Sequence, residues 1–520
     1  MIDKKSLFAR IPFSGIAIPL IVSTTFWYSN MNRLPYEDAL PTIAIFIAIW
    51  IGVIAVLRLV AGSWVRAGLM TAIAAAYSLY LPQMIRTFAQ SEWVRWTLLA
   101  VAAVIAIDLA RRIPRERTAL LALNRSMNVV FFTVALLVCA VAGAKQIYLE
   151  NARPQTADIF PTFKGTATAN SPDVWHFIFD RYAGGDSLQR VYHFDNRPFL
   201  DALKARGFAV QEHAFSNYQR TGHSVSSTLN GAYLDGLAAN MANHQTDWVP
   251  LYRAMTGNAA LRFFAAHGYA TFFAGSWWNP TRRSLLAGSN VNFYDMPELG
   301  RLILDQSVVG MLLENTDLPY ADGRNDQCRR EHLKFEELTK IAAEKKQKYI
   351  FAHFLLPHPP FVINADGTCR SLAQATHSSR RNNYVGQVEY ANSQILKLID
   401  KIEAGPRPAI IIIHADEGPW PLPFVGDERF PGTDPVAVDW PRINQSQLHE
   451  KMGVLLAVKS PDGKSTRDLP VSAVNLYPIV LHNHFGGAAP GLPDRHYLFV
   501  SDKALYTFDD VTERLREPPL

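Results

Sequence analysis

Ile410-Ile411-Ile412-Ile413-His414-Ala415-Asp416-Glu417-Gly418-Pro419 is the stretch that decides the fold. Four consecutive isoleucines read as a strand buried on both faces, the habit of a central parallel strand in an α/β sheet. The run ends abruptly in His, Asp and Glu before Gly-Pro, so it carries charge to the carboxyl edge of the sheet. That edge is where open α/β sheets place their sites. Two more runs end in the same manner. Val174-Trp175-His176-Phe177-Ile178-Phe179 leads into Asp180-Arg181-Tyr182, and Tyr349-Ile350-Phe351-Ala352-His353-Phe354-Leu355-Leu356 leads into Pro357-His358-Pro359-Pro360. Carboxylates and histidines converging from separate strands point to a divalent-metal site.

The 520 residues are 49% hydrophobic, with a mean hydropathy of +0.00 that averages two unlike parts. Residues 1–150 hold five apolar stretches, at roughly 12–28, 40–60, 64–83, 96–110 and 127–147. Most approach the length of about 20 residues that crosses a bilayer. The fourth is the shortest and carries Asp108 near its end. Five in succession argue against a merely buried helical core.

Lysine and arginine set the expected orientation. Lys4, Lys5 and Arg10 precede the first stretch, Arg58 and Arg66 flank the second connection, and Arg111, Arg112, Arg115, Arg117 and Arg125 flank the fourth. The alternate connections carry only Arg33, then Arg86 and Arg95. The N-terminus is therefore expected in the cytoplasm and everything after about residue 150 on the outer face. The first stretch is not expected to be a removable signal, since the later ones hold the chain in the membrane. The net charge of +5 divides into +7 for residues 1–150 and −2 for the rest. The basic excess is a topology signal and gives no support for nucleic-acid binding.

Three domains are expected: a transmembrane region over 1–147, a Pro/Thr/Ala/Gly/Ser linker over 148–171, and an exported domain over 172–520. In the exported part, strand-like runs alternate with amphipathic runs at 196–206, 224–238, 258–267, 328–346 and 381–403. That alternation favours a mostly parallel sheet with helices on both faces. Further strands are expected at 270–274, 452–458 and 496–500. The Pro/Gly/Asp-rich stretch 418–446 reads as a long loop over the site. Cys328 and Cys369 lie where disulfides persist, and the sequence leaves open whether they pair or stay as buried thiols.

Each candidate has a plain structural reading beside the chemical one. Asp180 after a hydrophobic strand is a turn or cap aspartate, or a metal ligand. Thr221, in Asn217-Tyr218-Gln219-Arg220-Thr221-Gly222-His223-Ser224, sits where a hydroxyl caps a helix. The same geometry presents a nucleophile to an anion at a helix N-terminus. Ser224, Ser226 and Ser227 compete with it on residue type alone. Asp416 and Glu417 are adjacent, so an extended strand points them to opposite faces, though a turning backbone lets both reach one ion. His414 shares the Asp416 face and is either a ligand or a core histidine. His353 and His358 flank Leu-Leu-Pro, with His358 held between prolines and suited to hydrogen bonding or general-acid work on a phosphate. Trp277-Trp278-Asn279-Pro280-Thr281-Arg282-Arg283 offers aromatic faces and guanidinium groups for an oxyanion, or is a surface loop.

Taken together, these segments resemble the alkaline phosphatase/sulfatase superfamily. The resemblance is nearest to membrane-anchored sulfatase-like proteins related to lipoteichoic acid synthases and lipid A phosphoethanolamine transferases. It rests on the strand ending at Asp180, Asn-Tyr-x-x-Thr at 217–221, Leu-Leu-Pro-His-Pro-Pro-Phe at 355–361 and the Asp416-Glu417-Gly418 turn. The late segments Val474-Asn475 and Leu492-Pro493-Asp494-Arg495 add to it. It implies a helical membrane domain of about five transmembrane helices followed by an α/β sulfatase/alkaline-phosphatase-like domain. It further implies Asp180 and Asp416 as metal ligands and Thr221 as nucleophile. His358 and the Trp277/Arg282 region, with His353, would face the substrate head group.

The usual turn in these families is Asp-His-Gly, and here Glu417 replaces the imidazole. A metal set of Asp180, Asp416, Glu417 and His414 favours Mn²⁺ or Mg²⁺ over Zn²⁺. Arg181 and His414 are the residues placed to compensate, by charge and by imidazole. The resemblance implies a metal-dependent transferase or phosphodiesterase in a bacterial inner membrane. Its donor would be a membrane lipid and its acceptor an envelope glycan or lipid. A catalytically silent binding or scaffold protein of envelope assembly and a sulfuric-ester hydrolase are the competing readings. The second lacks its Cys/Ser-x-Pro/Ala-x-Arg motif anywhere near 217–230.

Overall fold

The computed structural model describes residues 8–89, 91–292, 296–314, 323–422, 424, 439–464 and 469–519. Most of the expected loop over 418–446 lies outside these residues. The chain divides into two compact units, Met1–Ala152 with Met296–Asp322, and Arg153–Asp295 with Gly323–Leu520. The division departs from the expected boundaries in two places. The 117–152 helix runs past residue 147, and residues 153–171 belong with the second unit. A segment from inside the expected exported domain belongs with the helical unit.

In the first unit all five apolar stretches are helical: Ser14–Asn30, Tyr36–Ala61, Trp64–Leu79, Glu92–Arg112 and Arg117–Ala152, with a short helix Leu81–Phe88 after the third. Four are long and apolar enough to cross a membrane, taking 64–88 as one. The first is 17 residues long and contains Pro19. The helices alternate in direction. Asn124 and Asn128 bind the carbonyls of Ala9, Ile11 and Phe8, while Lys145 binds the Tyr28 carbonyl, so the first and last helices run parallel. Gly15 and Gly68 let the first and third helices touch backbone to backbone; a Cβ on Gly15 would lie 2.7 Å from the Gly68 carbonyl oxygen. Such small-residue contacts replace the hydrophobic drive that lipid does not supply.

The second unit is built on a seven-stranded sheet. Its strands are β1 (Asp173–Phe179), β2 (Ala209–Val210), β3 (Ala270–Ala274), β4 (Ser289–Val291), β5 (Lys348–Phe354), β6 (Ala409–His414) and β7 (Leu456–Lys459). The order is β2-β7-β6-β1-β5-β3-β4, with β4, β3, β5, β1 and β6 mutually parallel and β7 antiparallel to β6 and β2. The isoleucine strand β6 is wholly buried from Ile410 onward and lies beside the central β1. The strand expected at 496–500 is present as Tyr497–Phe499, paired with Phe508–Asp510 in a separate two-stranded ribbon.

Register fixes which side chains share a face. Ile178 pairs with His353 on one side and His414 on the other, so these three lie on one face, with His176 and Asp180 two residues either way. That face is covered by Phe264 and Tyr477, which pack on Tyr349. The opposite face is covered by Phe335 from helix Gly323–Ala342, stacked on Phe354 at 4.5 Å. Helices therefore cover both faces, as the alternation of runs implied. Cys328 on that helix forms a disulfide with Cys369 across 41 residues. Closing a loop of that length restricts the unfolded chain. Cys369→Ser is expected to lower the unfolding free energy by ~2–4 kcal/mol, read from denaturant titrations of wild type and variant without reductant.

Candidate metal and nucleophile site

Asp180, His353 and Asp416 meet at the carboxyl edge. All three are buried, and one ligand atom from each lies within 4.8 Å of the others. The convergence follows from the pleat. Asp180 lies two residues beyond Ile178 and Asp416 two beyond His414, so both carboxylates project on the face that carries His353. His353 stands one step lower on β5 and reaches up, Nε2 lying 3.5 Å from Asp180 Oδ2.

Electrostatics at this point call for a cation. Burial raises the Asp416 pKa well above the usual carboxylate range, and the neighbouring charges of Asp180 and Glu417 add to the rise. Asp416 Oδ2 is buried without a hydrogen-bond partner among the described residues. Burial pushes His353 down to about 4, so its imidazole is neutral and open to metal at neutral pH. Two hard oxygens and one imidazole fit a divalent ion. The other His353 nitrogen is held by Thr281, Nδ1 to Oγ1 at 2.9 Å, and Thr281 is held in turn by Ser276 at 2.7 Å. Such outer partners orient a ligand ring and set its tautomer.

Thr221 is the first residue of the helix Thr221–Asn230, and its hydroxyl is among the groups that act on the Asp416 carboxylate, where it favours the charged form. The residues before it explain its placement. Asn217 binds Ser227 and Thr228 of that helix, Gln219 makes a two-way pair with the Phe499 backbone, and the Tyr218 hydroxyl accepts the Leu234 amide. The competing hydroxyls are occupied or enclosed. Ser226 donates to the carbonyls of Gly222 and Leu251, Ser227 accepts from Asn217, and Ser224 is wholly buried.

Glu417 and His414 stand outside the cluster. Glu417 turns to the opposite face, where Oε1 meets Arg181 Nε and Lys451 Nζ, each at 3.0 Å. The alternation that brings Asp416 to the cluster sends its neighbour away. Arg181 holds a left-handed backbone, φ 62°, and its amide donates to Asp416 Oδ1. Beneath lies Trp420, whose ring carries Arg220, Lys451 and Arg181 at 4.8, 5.1 and 5.5 Å. His414 points back along the sheet. Its Nδ1 meets His176 Nε2 at 3.1 Å, and the chain continues through Tyr477 to Tyr349. Burial drives His414 down to about 3, in keeping with a neutral core histidine.

The remaining candidates are spread around this centre. His358 is half-buried in the proline turn, Nδ1 facing the Pro359 carbonyl, and its own carbonyl accepts from Gln387. Trp277 is half-buried and Arg282 buried on the short helix Asn279–Arg282. In that segment Trp278 is the ring near His353, at 6.3 Å. Gly275 permits the tight return that brings Thr281 in, since a Cβ there would lie 2.1 Å from the Thr281 carbonyl oxygen. Thr281 and Lys451 carry no sequence signal of their own. Nor does buried Lys334, whose ammonium binds Glu331 and the His353 carbonyl.

A family model described as Sulfatase matches residues 172–482. No curated protein matches the sequence. Among solved structures, the C-terminal periplasmic domain of EcEptC from Escherichia coli is similar over 65% of this chain and 92% of its own, at 11% identity and a TM-score of 0.42. The integral membrane protein lipooligosaccharide phosphoethanolamine transferase A from Neisseria meningitidis is similar over 89% of this chain and 79% of its own, at 13% identity and 0.39. The putative sulfatase yidJ from Bacteroides fragilis is similar over 64% and 82%, at 14% and 0.36.

Two outcomes follow from the geometry. Metal uptake must displace a proton from Asp416, whose pKa is raised, whereas His353 is already neutral. Affinity for Mn²⁺ is therefore expected to rise with pH across the acid-to-neutral range, with proton release in calorimetry performed in two buffers. Glu417→Gln leaves the buried Lys451 charge without its carboxylate and is expected to cost ~3–5 kcal/mol of stability. Its metal stoichiometry at 20 °C should stay that of the wild type, whereas Asp416→Ala should bind none.

Proposed function

We propose that this chain, which belongs to the sulfatase family, is a metal-dependent transferase or phosphodiesterase that works through Thr221 on a phospho-head group of a membrane lipid. The acceptor is an envelope glycan or lipid, or water. The observation that carries this reading is the buried Asp180, His353 and Asp416 cluster, with Thr221 at the start of a buried helix acting on the Asp416 carboxylate. Nucleophile, carboxylate partner and helix N-terminus are the parts that attack on a phosphodiester requires.

Asp180, Asp416 and His353 would hold the ion, and two carboxylates with one imidazole favour Mn²⁺ or Mg²⁺ over Zn²⁺. Bound there, it supplies Lewis acidity toward the hydroxyl and the phosphoryl oxygens. Asp416 takes the Thr221 Oγ proton as that oxygen bonds to phosphorus. The bond from phosphorus to the lipid alcohol breaks, and His358 on the proline turn protonates the departing oxygen. An acceptor hydroxyl, or water, then gives its proton to the now neutral His358 as its oxygen bonds to phosphorus; the phosphorus–Oγ bond breaks and Asp416 returns the proton to Thr221. The helix N-terminus favours the negative charge that builds on phosphorus in both steps. Trp277 and Arg282 are the head-group contacts in this scheme. Membrane helices in the same chain suit a bilayer-resident donor, and the arginine pattern supports an outer-face location for the domain at a bacterial inner membrane.

Thr221→Ala is expected to lower turnover of a fluorescent phospholipid donor by at least ~10³-fold, as loss of a nucleophile does, with metal content unchanged. Mass analysis of the acid-quenched, digested wild type should show an adduct of the mass of the phospho-head group on the peptide holding Thr221. Retained turnover in the alanine variant would overturn the assignment.

A further inference from the structure

The chain passes between its two units three times, at 152/153, 295/296 and 322/323. The last two passages bracket a segment that the chemistry above does not use. Glu298–Asp305 and Val308–Glu314 are helices, and both pack on the membrane helices. Leu299 and Ile303 share one apolar cluster with Met31, Leu34, Ala39 and Ile43. Met311 shares another with Ile85, Ala89 and Leu99. Arg86 donates to the Asp305 carbonyl at 3.0 Å.

These partners all belong to one end of the helix bundle. Residues 31–43 form the first connection and the start of the second helix, and residues 85–89 close the short helix before the fourth. Since the helices alternate in direction, this is the end opposite the arginine-rich connections. A bundle that spans a bilayer puts this end at a lipid–water boundary.

The outward face of the same elements is apolar. Val309 and Leu312 are 48% and 52% exposed, and on the helix that packs beside them Met84 and Phe88 are 56% and 81% exposed. Spacings of three and four residues put each pair on one helical face. Trp93, 71% exposed, opens the next helix. Aromatic rings are enriched at that depth in membrane proteins. The patch continues the exposed apolar surface of the spanning helices, such as Val101, Val104 and Ile105, which faces lipid in the membrane.

We propose that Met296–Leu313 is an interfacial element that binds the phospholipid bilayer. Val309 and Leu312 enter the boundary between head groups and acyl chains beside Met84 and Phe88. A short helix with its apolar face seated a few ångströms into that boundary is a stable arrangement. The segment thereby ties the sulfatase-family domain to the membrane at a second point in the chain. The inference stands whether or not Thr221 is the nucleophile.

The test uses the full chain carrying Cys139→Ser, with single cysteines placed at Val309, Leu312, Met84 or exposed Lys345. Each is labelled with an environment-sensitive fluorophore under non-reducing conditions that leave Cys328–Cys369 intact. The proteins are reconstituted into phosphatidylethanolamine/phosphatidylglycerol vesicles with or without brominated acyl chains. Labels at 309, 312 and 84 are expected to be quenched several-fold more by brominated lipid than the label at 345. They should be correspondingly protected from aqueous iodide. Iodide quenching at 309 and 312 equal to that at 345, with no effect of bromine, would overturn the proposal. Protection from both quenchers would overturn it too, because it would mean that protein, such as a second copy, covers the patch.

Discussion

Two carboxylates, Asp180 and Asp416, are held facing each other in a buried site, and the rest of the catalytic unit is arranged around that fact. Left alone, the pair is unfavourable: burial and mutual repulsion push Asp416 toward its protonated form. The fold holds them there because each ends a strand buried on both faces, and the strands are neighbours in register. Moving either carboxylate would require shifting β1 or β6, both packed throughout the core. The strain is thus local and the support extensive, the usual balance at a site that a cation completes.

Glu417 shows how a departure from a family pattern is absorbed. A third carboxylate at the ion would have raised the repulsion further. Instead the backbone alternation turns it to the other face, where Arg181 and Lys451 neutralise it and Trp420 packs beneath the cations. The pair also acts back on the site, since Arg181 supplies the amide that binds Asp416. An imidazole does reach the carboxylates, that of His353 from β5.

The helical unit obeys a different solvent. Its helices expose Leu, Val and Ile and reserve the interior for close backbone contacts and a few amide-to-carbonyl bonds, such as those of Asn124 and Asn128. The segment Met296–Leu313 follows the same rule: it buries Leu299, Ile303 and Met311 against the bundle and turns Val309 and Leu312 outward. A soluble domain would not leave those residues exposed beside Phe88.

Much of this was legible in the residues themselves. The isoleucine run, the ends of β1 and β5, five apolar stretches and the helices near 197–205 and 380–403 follow from periodicity and burial, which are local properties of the chain. Asp180 and Asp416 were legible as candidates because they stood at the ends of such runs, and Thr221 because a hydroxyl stood where a helix begins. Local pattern could not say that Glu417 and His414 would leave the cluster while His353 joined it, nor that Cys328 would find Cys369. Nor could it say that residues 296–313 would return to the membrane helices. Those outcomes depend on which strands become neighbours and in what register, and on partners such as Lys451, Thr281 and His176 that lie dozens to hundreds of residues away. A side chain's face is set by its own strand, but what it meets there is set by the packing of the whole unit.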